Sequence, residues 1–330
     1  RETVAAINRF QARWPKHELS PKLYLLKGEL LLRMDQVTQA KACFKRLTLT
    51  ADTVTREAAL YFLAQCYARE GDMQQALETY AKISDKPFDT KHLYRPYALF
   101  AIASARFHRG QIQEAAQDFQ RLTREENVPP GIREEALYRL GETHFLREDY
   151  REAIEVYELL LVEFPDGYFA REAGKRRAWA YFALEDYRKA LELIDEWRKQ
   201  FPDVEDYELD YIQGASLAGQ QLYKEALPFF RRLAEAEDVP ESYRRRAAYQ
   251  TVFLLLQMQR FPETVEAGRA FLEGFPQTEG AADVHYFMGE AYYQQDEFAR
   301  TVGALRKALD SYAGDWPYLR KHAATYSAEA

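Results

Sequence analysis

Residues 136–165 read ALYRLGETHFLREDYREAIEVYELLLVEFP. Apolar residues recur at helical spacing in each half of this stretch, which predicts two helices joined by a short turn. Gly141 and Ala153 are small and stand twelve residues apart, so two antiparallel helices can approach closely at this point. Tyr157 follows one turn later and is expected to fill the space beside that contact. Because Pro165 cannot continue the second helix, the stretch predicts one helical hairpin.

The same pattern occurs eight times along the chain, at intervals of 36 to 39 residues. The small residues of the first helices are Gly28, Ala64, Ala103, Gly141, Ala178, Gly214, Val252 and Gly289. Twelve residues after each stand Ala40, Ala76, Ala115, Ala153, Ala190, Ala226, Thr264 and Thr301. Four residues later stand Phe44, Tyr80, Phe119, Tyr157, Ile194, Phe230, Gly268 and Leu305. This shared register predicts an array of hairpins that bury their faces against one another.

Helix boundaries follow from Gly, Asp and Pro. Turns within the hairpins are predicted near residues 70–72, 109–111, 148–150 and 185–187, where Gly and Asp suit a helix end and the next N-cap. The second helices are predicted to end at the Phe-Pro pairs that begin at residues 164, 201 and 275.

The repeat resembles the tetratricopeptide consensus, through residues 136–141, Asp149-Tyr150, Ala153-Ile154, Tyr157 and Pro165. This resemblance implies an all-α, right-handed α-solenoid of about eight helix-turn-helix repeats. The period exceeds the usual 34 residues, and Val252, Thr264 and Gly268 make the seventh copy irregular. The segment Phe164–Ala173 is similar to bacterial cell-envelope members of the superfamily, namely the lipoprotein of the outer-membrane β-barrel assembly machinery and the Tol-Pal coordinator.

We expect one continuous array over residues 1–330. Residues 1–20 are interpreted as the second helix of a truncated repeat, residues 21–313 as eight repeats, and residues 314–330 as an extra or capping helix. Solenoids normally carry polar caps at both ends. The missing half-repeat therefore predicts that the chain is part of a longer polypeptide.

Composition excludes several classes of protein. A formal net charge of −7 disfavours nucleic acid as the main partner. The longest apolar stretch, near residues 251–258, is far shorter than a membrane span. Cys43 and Cys66 form no disulfide framework or zinc set and are interpreted as small buried thiols, although a single bridge between them stays open.

Catalytic and cofactor motifs are absent from the sequence. None of the six histidines pairs with another histidine or a cysteine at metal-ligand spacing, and there is no phosphate-binding loop or nucleophile elbow. His144 takes a packing position that is tyrosine in other repeats. We therefore expect no enzyme activity, no cofactor and no metal in this segment.

A stripe of aromatic residues is the most suggestive feature of the sequence. Three residues before each small residue stand Leu25, Tyr61, Phe100, Tyr138, Lys175, Tyr211, Tyr249 and Tyr286. Glu142, Trp179 and Glu290, one residue after the small residue, share this face of the first helices, which we call the ring face. The rings either pack between neighbouring first helices or line a groove for a peptide. The predicted partner-binding residues are Tyr61, Phe100, Tyr138, Tyr211, Tyr249, Tyr286, Glu142, Trp179 and Glu290.

The sequence favours a non-catalytic scaffold that binds a peptide or partner protein. In tetratricopeptide proteins the first helices line the concave surface, so the resemblance implies a concave aromatic groove. Carboxylates beside the rings favour a ligand with apolar and basic residues. The narrower resemblance implies the periplasm or cell envelope, with the cytoplasm left open. An alternative is a regulatory or substrate-docking arm of a multidomain enzyme. The sequence leaves the oligomeric state open.

Overall fold

A computed structural model describes residues 1–50, 52–84, 92–125, 127–276, 278 and 280–311, and their regular secondary structure is α-helical. The helices of these ranges are α1 (Glu2–Arg13), α2 (Ser20–Arg33), α3 (Val37–Thr50), α4 (Thr53–Arg69), α5 (Met73–Ser84), α6 (Arg95–His108), α7 (Ile112–Arg124), α8 (Pro130–Leu146), α9 (Tyr150–Glu163), α10 (Ala170–Ala183), α11 (Tyr187–Gln200), α12 (Tyr207–Gly219), α13 (Tyr223–Glu235), α14 (Glu241–Gln257), α15 (Phe261–Gly274), α16 (Gly280–Tyr293) and α17 (Phe298–Ser311). The all-α prediction is confirmed.

The helices pack as consecutive hairpins, from α2 with α3 to α16 with α17. The predicted turns lie between α4 and α5, α6 and α7, α8 and α9, and α10 and α11. Helices α9, α11 and α15 each end one residue before the predicted Phe-Pro pair. The hairpin boundaries therefore agree with the sequence pattern.

The contacts divide the chain into two compact units, Arg1–Ala173 and Gly174–Ala330, which we call the N-terminal and C-terminal units. In each unit, a core cluster joins one hairpin to the first helix of the next. Leu99, Phe119 and Leu140 share a cluster in the N-terminal unit, and Phe230 and Leu254 share one in the C-terminal unit. The single continuous array stays a prediction, and the expected capping helix at 314–330 lies outside the described residues.

The small residues lie where the helices of a hairpin meet. A Cβ atom added to Gly28 would lie 2.4 Å from Cε1 of Phe44, and one added to Gly141 would lie 2.4 Å from Cε1 of Tyr157. Both distances are shorter than real Cβ atoms show, so the bulky residue sixteen positions later packs directly on the glycine. This direct contact between the small residue and the bulky residue explains the predicted register of the hairpins.

The seventh hairpin, α14 with α15, exchanges the sizes of the two contacting residues. The first helix carries Val252 and the second carries Gly268, whereas the other hairpins pair a small first residue with a larger second one. Both residues are buried. A Cβ atom on Gly268 would lie 2.6 Å from Cγ of Met288, so a side chain from α16 occupies the space beside this glycine.

Candidate protein-binding face

In the N-terminal unit, the ring face is centred on Tyr61 of α4. Its ring centroid lies 5.3 Å from Phe62, 5.3 Å from Tyr94 and 5.9 Å from Tyr97. The Gln65 side-chain amide donates a hydrogen bond to the Tyr61 hydroxyl at 2.9 Å. Burial raises the pKa of Tyr61 above its ordinary value. The cluster therefore contains several aromatic rings and one hydroxyl group that is held in place by a hydrogen bond.

Tyr138 of α8 belongs to the same face but is covered. Its ring stacks on Phe169 with centroids 4.7 Å apart, and its side chain is 6% exposed. The Tyr138 hydroxyl donates to Glu142 at 3.3 Å, and Arg139 donates to the same carboxylate at 2.7 Å. The negative charge of Glu142 is therefore largely balanced by its neighbour, which weakens the expectation that it attracts a basic ligand.

In the C-terminal unit, two predicted rings line one cavity of about 510 Å³. Its lining residues are Tyr211, Arg245, Arg246, Tyr249, Gln250, Phe271, Thr278 and Gly280. The Tyr249 hydroxyl donates to Asp283 at 3.2 Å, and burial, followed by the nearby Asp283 charge, raises the pKa of Tyr249. Among the described residues that line this cavity, the side chains carry two guanidinium groups and no carboxylate, in contrast to the acidic face expected from the sequence.

Models of known families match three stretches of the chain. Two family models described as tetratricopeptide repeats match residues 25–89 and 97–126, and a model described as an outer membrane lipoprotein matches residues 130–227. The tetratricopeptide resemblance predicted from the sequence is thereby confirmed for residues 25–89 and 97–126. A search of curated protein sequences gave no significant match.

Solved tetratricopeptide structures share the fold. A tetratricopeptide repeat protein from Parabacteroides merdae aligns with a TM-score of 0.52 and 16% identity, over 82% of this chain and 98% of the other. YrrB, described as a TPR protein with an unusual peptide-binding site, aligns with a TM-score of 0.50 and 20% identity, over 64% of this chain and 99% of its own. At these identities, the likeness establishes the helical repeat and nothing finer.

The predicted ring positions differ in exposure. Tyr61, Phe100, Tyr211 and Tyr249 are partly exposed, whereas Tyr138 and Tyr286 are buried, at 6% and 9% exposure. The remaining predicted residues Trp179, Glu142 and Glu290 are partly exposed. The structure brings Tyr211 and Tyr249 to one cavity, while Tyr61, Phe100 and Tyr138 each contact rings of other positions.

Sequence reasoning missed the residues that touch these rings. Tyr94, Phe169 and Tyr243 each stand nine residues before the small residue of a first helix. They pack on Tyr61, Tyr138 and Tyr211 of the preceding repeat. Their common position, nine residues before a small residue, can be seen in the sequence. Its role becomes clear only when the structure shows that these residues contact the rings of the preceding repeat.

Metal sites, membrane-spanning helices and cysteines were sought in the part of the chain that the structure describes. No group of three or more His, Cys, Asp or Glu residues there could hold a metal ion. Within the same ranges no helix is long and apolar enough to cross a membrane. Cys43 and Cys66 are buried free thiols, and burial raises the pKa of Cys66 to about 11.

Proposed function

We propose that this protein is a non-catalytic scaffold that binds a peptide or an exposed segment of a partner protein on its ring face. Tetratricopeptide repeats form the fold of protein-interaction scaffolds. The observation that carries the proposal is the partial exposure of Tyr61, Phe100, Tyr211 and Tyr249 at one recurring position.

The exposure of these rings separates binding from pure packing. A ring that only joins neighbouring helices would be buried, as Tyr138 is. A ring that is packed on one side and open on the other is rigid and retains apolar area for a partner, which is the property of aromatic anchors in interfaces. Four of the six predicted rings are partly exposed, as this role requires.

The cell envelope is the proposed setting. The match of residues 130–227 to an outer membrane lipoprotein family supports it, as does the similarity of the Phe164–Ala173 segment noted above. YrrB, whose description records a peptide-binding site, supports peptide recognition by this fold. Fractionation of source cells that express the full-length protein should recover it with the envelope, and recovery only in the cytosol would refute this setting.

The binding face can be tested by site-specific photo-cross-linking in source cells. Benzoylphenylalanine replaces Gln65 or Gln250, which lie beside the rings. Matched positions are Glu155 and Glu225, exposed residues of second helices in the same two units. We expect a discrete cross-linked partner from Gln65 or Gln250 and none from Glu155 or Glu225. Cross-links confined to the second-helix positions would show that the partner uses another surface.

A further inference from the structure

A contact between neighbouring repeats recurs along the ring face. In three repeats, the ring three residues before the small residue contacts an aromatic residue nine positions before the next repeat's small residue. We call this second place the covering position. Ring centroids are 5.3 Å apart for Tyr61 and Tyr94, and 4.7 Å apart for Tyr138 and Phe169. In the C-terminal unit, Tyr211 and Tyr243 are 5.7 Å apart. The protein thus supplies its own aromatic partner for these rings.

The seventh repeat lacks this partner. The ring is Tyr249, and the covering position is Gly280. A Cβ atom on Gly280 would lie 3.1 Å from Cδ2 of Tyr249, so the covering position still faces the ring directly. The cavity of about 510 Å³ opens here, where the N-terminal unit holds the side chain of Phe169 against Tyr138. The backbone of Gly280 therefore packs close to the edge of the Tyr249 ring, and the covering position places no side chain in the adjoining cavity.

A second difference changes the charge beside this opening. Seven residues before the small residue, the second and fourth repeats carry Glu57 and Glu134, and the seventh carries Arg245. Glu134 accepts a hydrogen bond from the backbone N–H of Phe169 at 2.9 Å, so it helps to hold the covering ring. Arg245 cannot accept such a bond. Arg245 makes no ion pair with any residue of the described ranges, and it lines the cavity together with Arg246.

We propose that this cavity binds a linear segment of a partner protein in which an aromatic side chain stands next to an acidic one. The aromatic ring enters the cavity and packs against the rings that line it, Tyr211, Tyr249 and Phe271. The carboxylate lies against Arg245 and Arg246, since guanidinium groups bind carboxylates by charge-assisted, often bidentate, hydrogen bonds. The cavity volume lies within the range of ordinary ligand sites. This inference rests on the proposed function and specifies the ligand of its C-terminal unit.

The test uses four fluorescein-labelled peptides with blocked ends and the sequence Gly-Ser-X-Z-Ser-Gly. The X-Z pairs are Asp-Phe, Asn-Phe, Lys-Phe and Asp-Ala. Binding to the whole chain is measured by fluorescence anisotropy. We expect the Asp-Phe peptide to bind roughly tenfold or more tightly than the other three, because a lost charge-assisted hydrogen bond or a lost buried ring costs about that factor.

Two variants test whether the peptide binds in this cavity. Arg245→Gln should weaken Asp-Phe binding roughly tenfold or more and leave Asn-Phe binding unchanged. Gly280→Phe should abolish binding by supplying the covering ring, and unchanged helicity by circular dichroism should accompany it. Arg188→Gln is the matched control, because Arg188 is an exposed residue of α11 and its replacement makes the same change in charge.

The outcomes distinguish this inference from the proposed function. Equal binding of all four peptides, or loss of binding that is the same for Arg188→Gln and Arg245→Gln, would overturn the aromatic–acidic site. Failure of every peptide to bind at millimolar concentration would overturn it as well. Cross-links from Gln65 or Gln250 would still support partner binding on the ring face. Their absence would refute the proposed function, whatever the result with the peptides.

Discussion

Each hairpin turn contains one residue in the left-handed region of backbone space, seven positions after the small residue. Two of these residues are Gly71 and Gly110, with φ of 82° and 75°. The others are Asp35, Glu148, Glu185, Gln221, Gln259 and Asp296, with φ between 58° and 63°. Left-handed backbone costs a side-chain-bearing residue roughly 1–2 kcal/mol, and glycine adopts it freely. The six non-glycine turns therefore hold local strain.

Glu185→Gly should stabilise the protein, because glycine removes this strain at an exposed position with φ of 61°. The expected gain is about 1 kcal/mol after the greater entropy of glycine in the unfolded chain is subtracted. It should appear as a higher urea midpoint with an unchanged slope. The reverse change Gly71→Ala is the matched control and should lower the midpoint by a similar amount. Shifts of the same sign in both variants would contradict the explanation.

At the scale of a helix, α13 contains a proline in its interior. Pro228 has no N–H to donate to the carbonyl of Lys224, four residues earlier, and its ring crowds that carbonyl. The helix nevertheless runs from Tyr223 to Glu235, with Ala226, Phe230 and Leu233 buried. The free energy gained by burying this apolar face therefore outweighs the cost of a proline inside the helix.

Pro228→Ala is expected to stabilise the protein by about 1–3 kcal/mol, since alanine restores the hydrogen bond at an exposed position. The matched control is Pro262→Ala, because Pro262 lies in the first turn of α15, where proline is tolerated. That control should change stability by less than about 0.5 kcal/mol. The thermal unfolding midpoint measures both, and equal shifts would show that position within the helix is unimportant.

The elements differ in how far sequence could predict them. The hairpins were predictable because close approach of two helices demands small residues at fixed positions within one repeat, as at Gly141 and Ala153. Met288 beside Gly268 was not, because it comes from the following hairpin. The ring face was only partly predictable for the same reason. Periodicity within α8 shows that Tyr138 shares a face with Glu142, but not that Phe169 of the next repeat covers it.

For the whole molecule, the division into hairpins determines how stability is distributed. Most packing is between sequential helices, with smaller contacts between successive first helices such as α6 with α8 and α14 with α16. In repeat arrays of this kind, stability is approximately a sum of each repeat's own contribution and the interfaces with its neighbours. Local damage should consequently have local effects.

Gly141→Leu tests this distribution together with the register of the repeat. The new side chain meets Tyr157, whose Cε1 lies 2.4 Å from the place of a Cβ atom, so overpacking should cost about 1–3 kcal/mol. Amide hydrogen exchange should lose protection in α8, α9 and the adjoining hairpin α6–α7, while α14 to α17 keep theirs. Gly131→Leu in the same helix is the control, since nothing lies within 4 Å of its Cβ position. Unchanged stability of Gly141→Leu would disprove the register, and equal loss of protection in all helices would show one cooperative unit instead of an array.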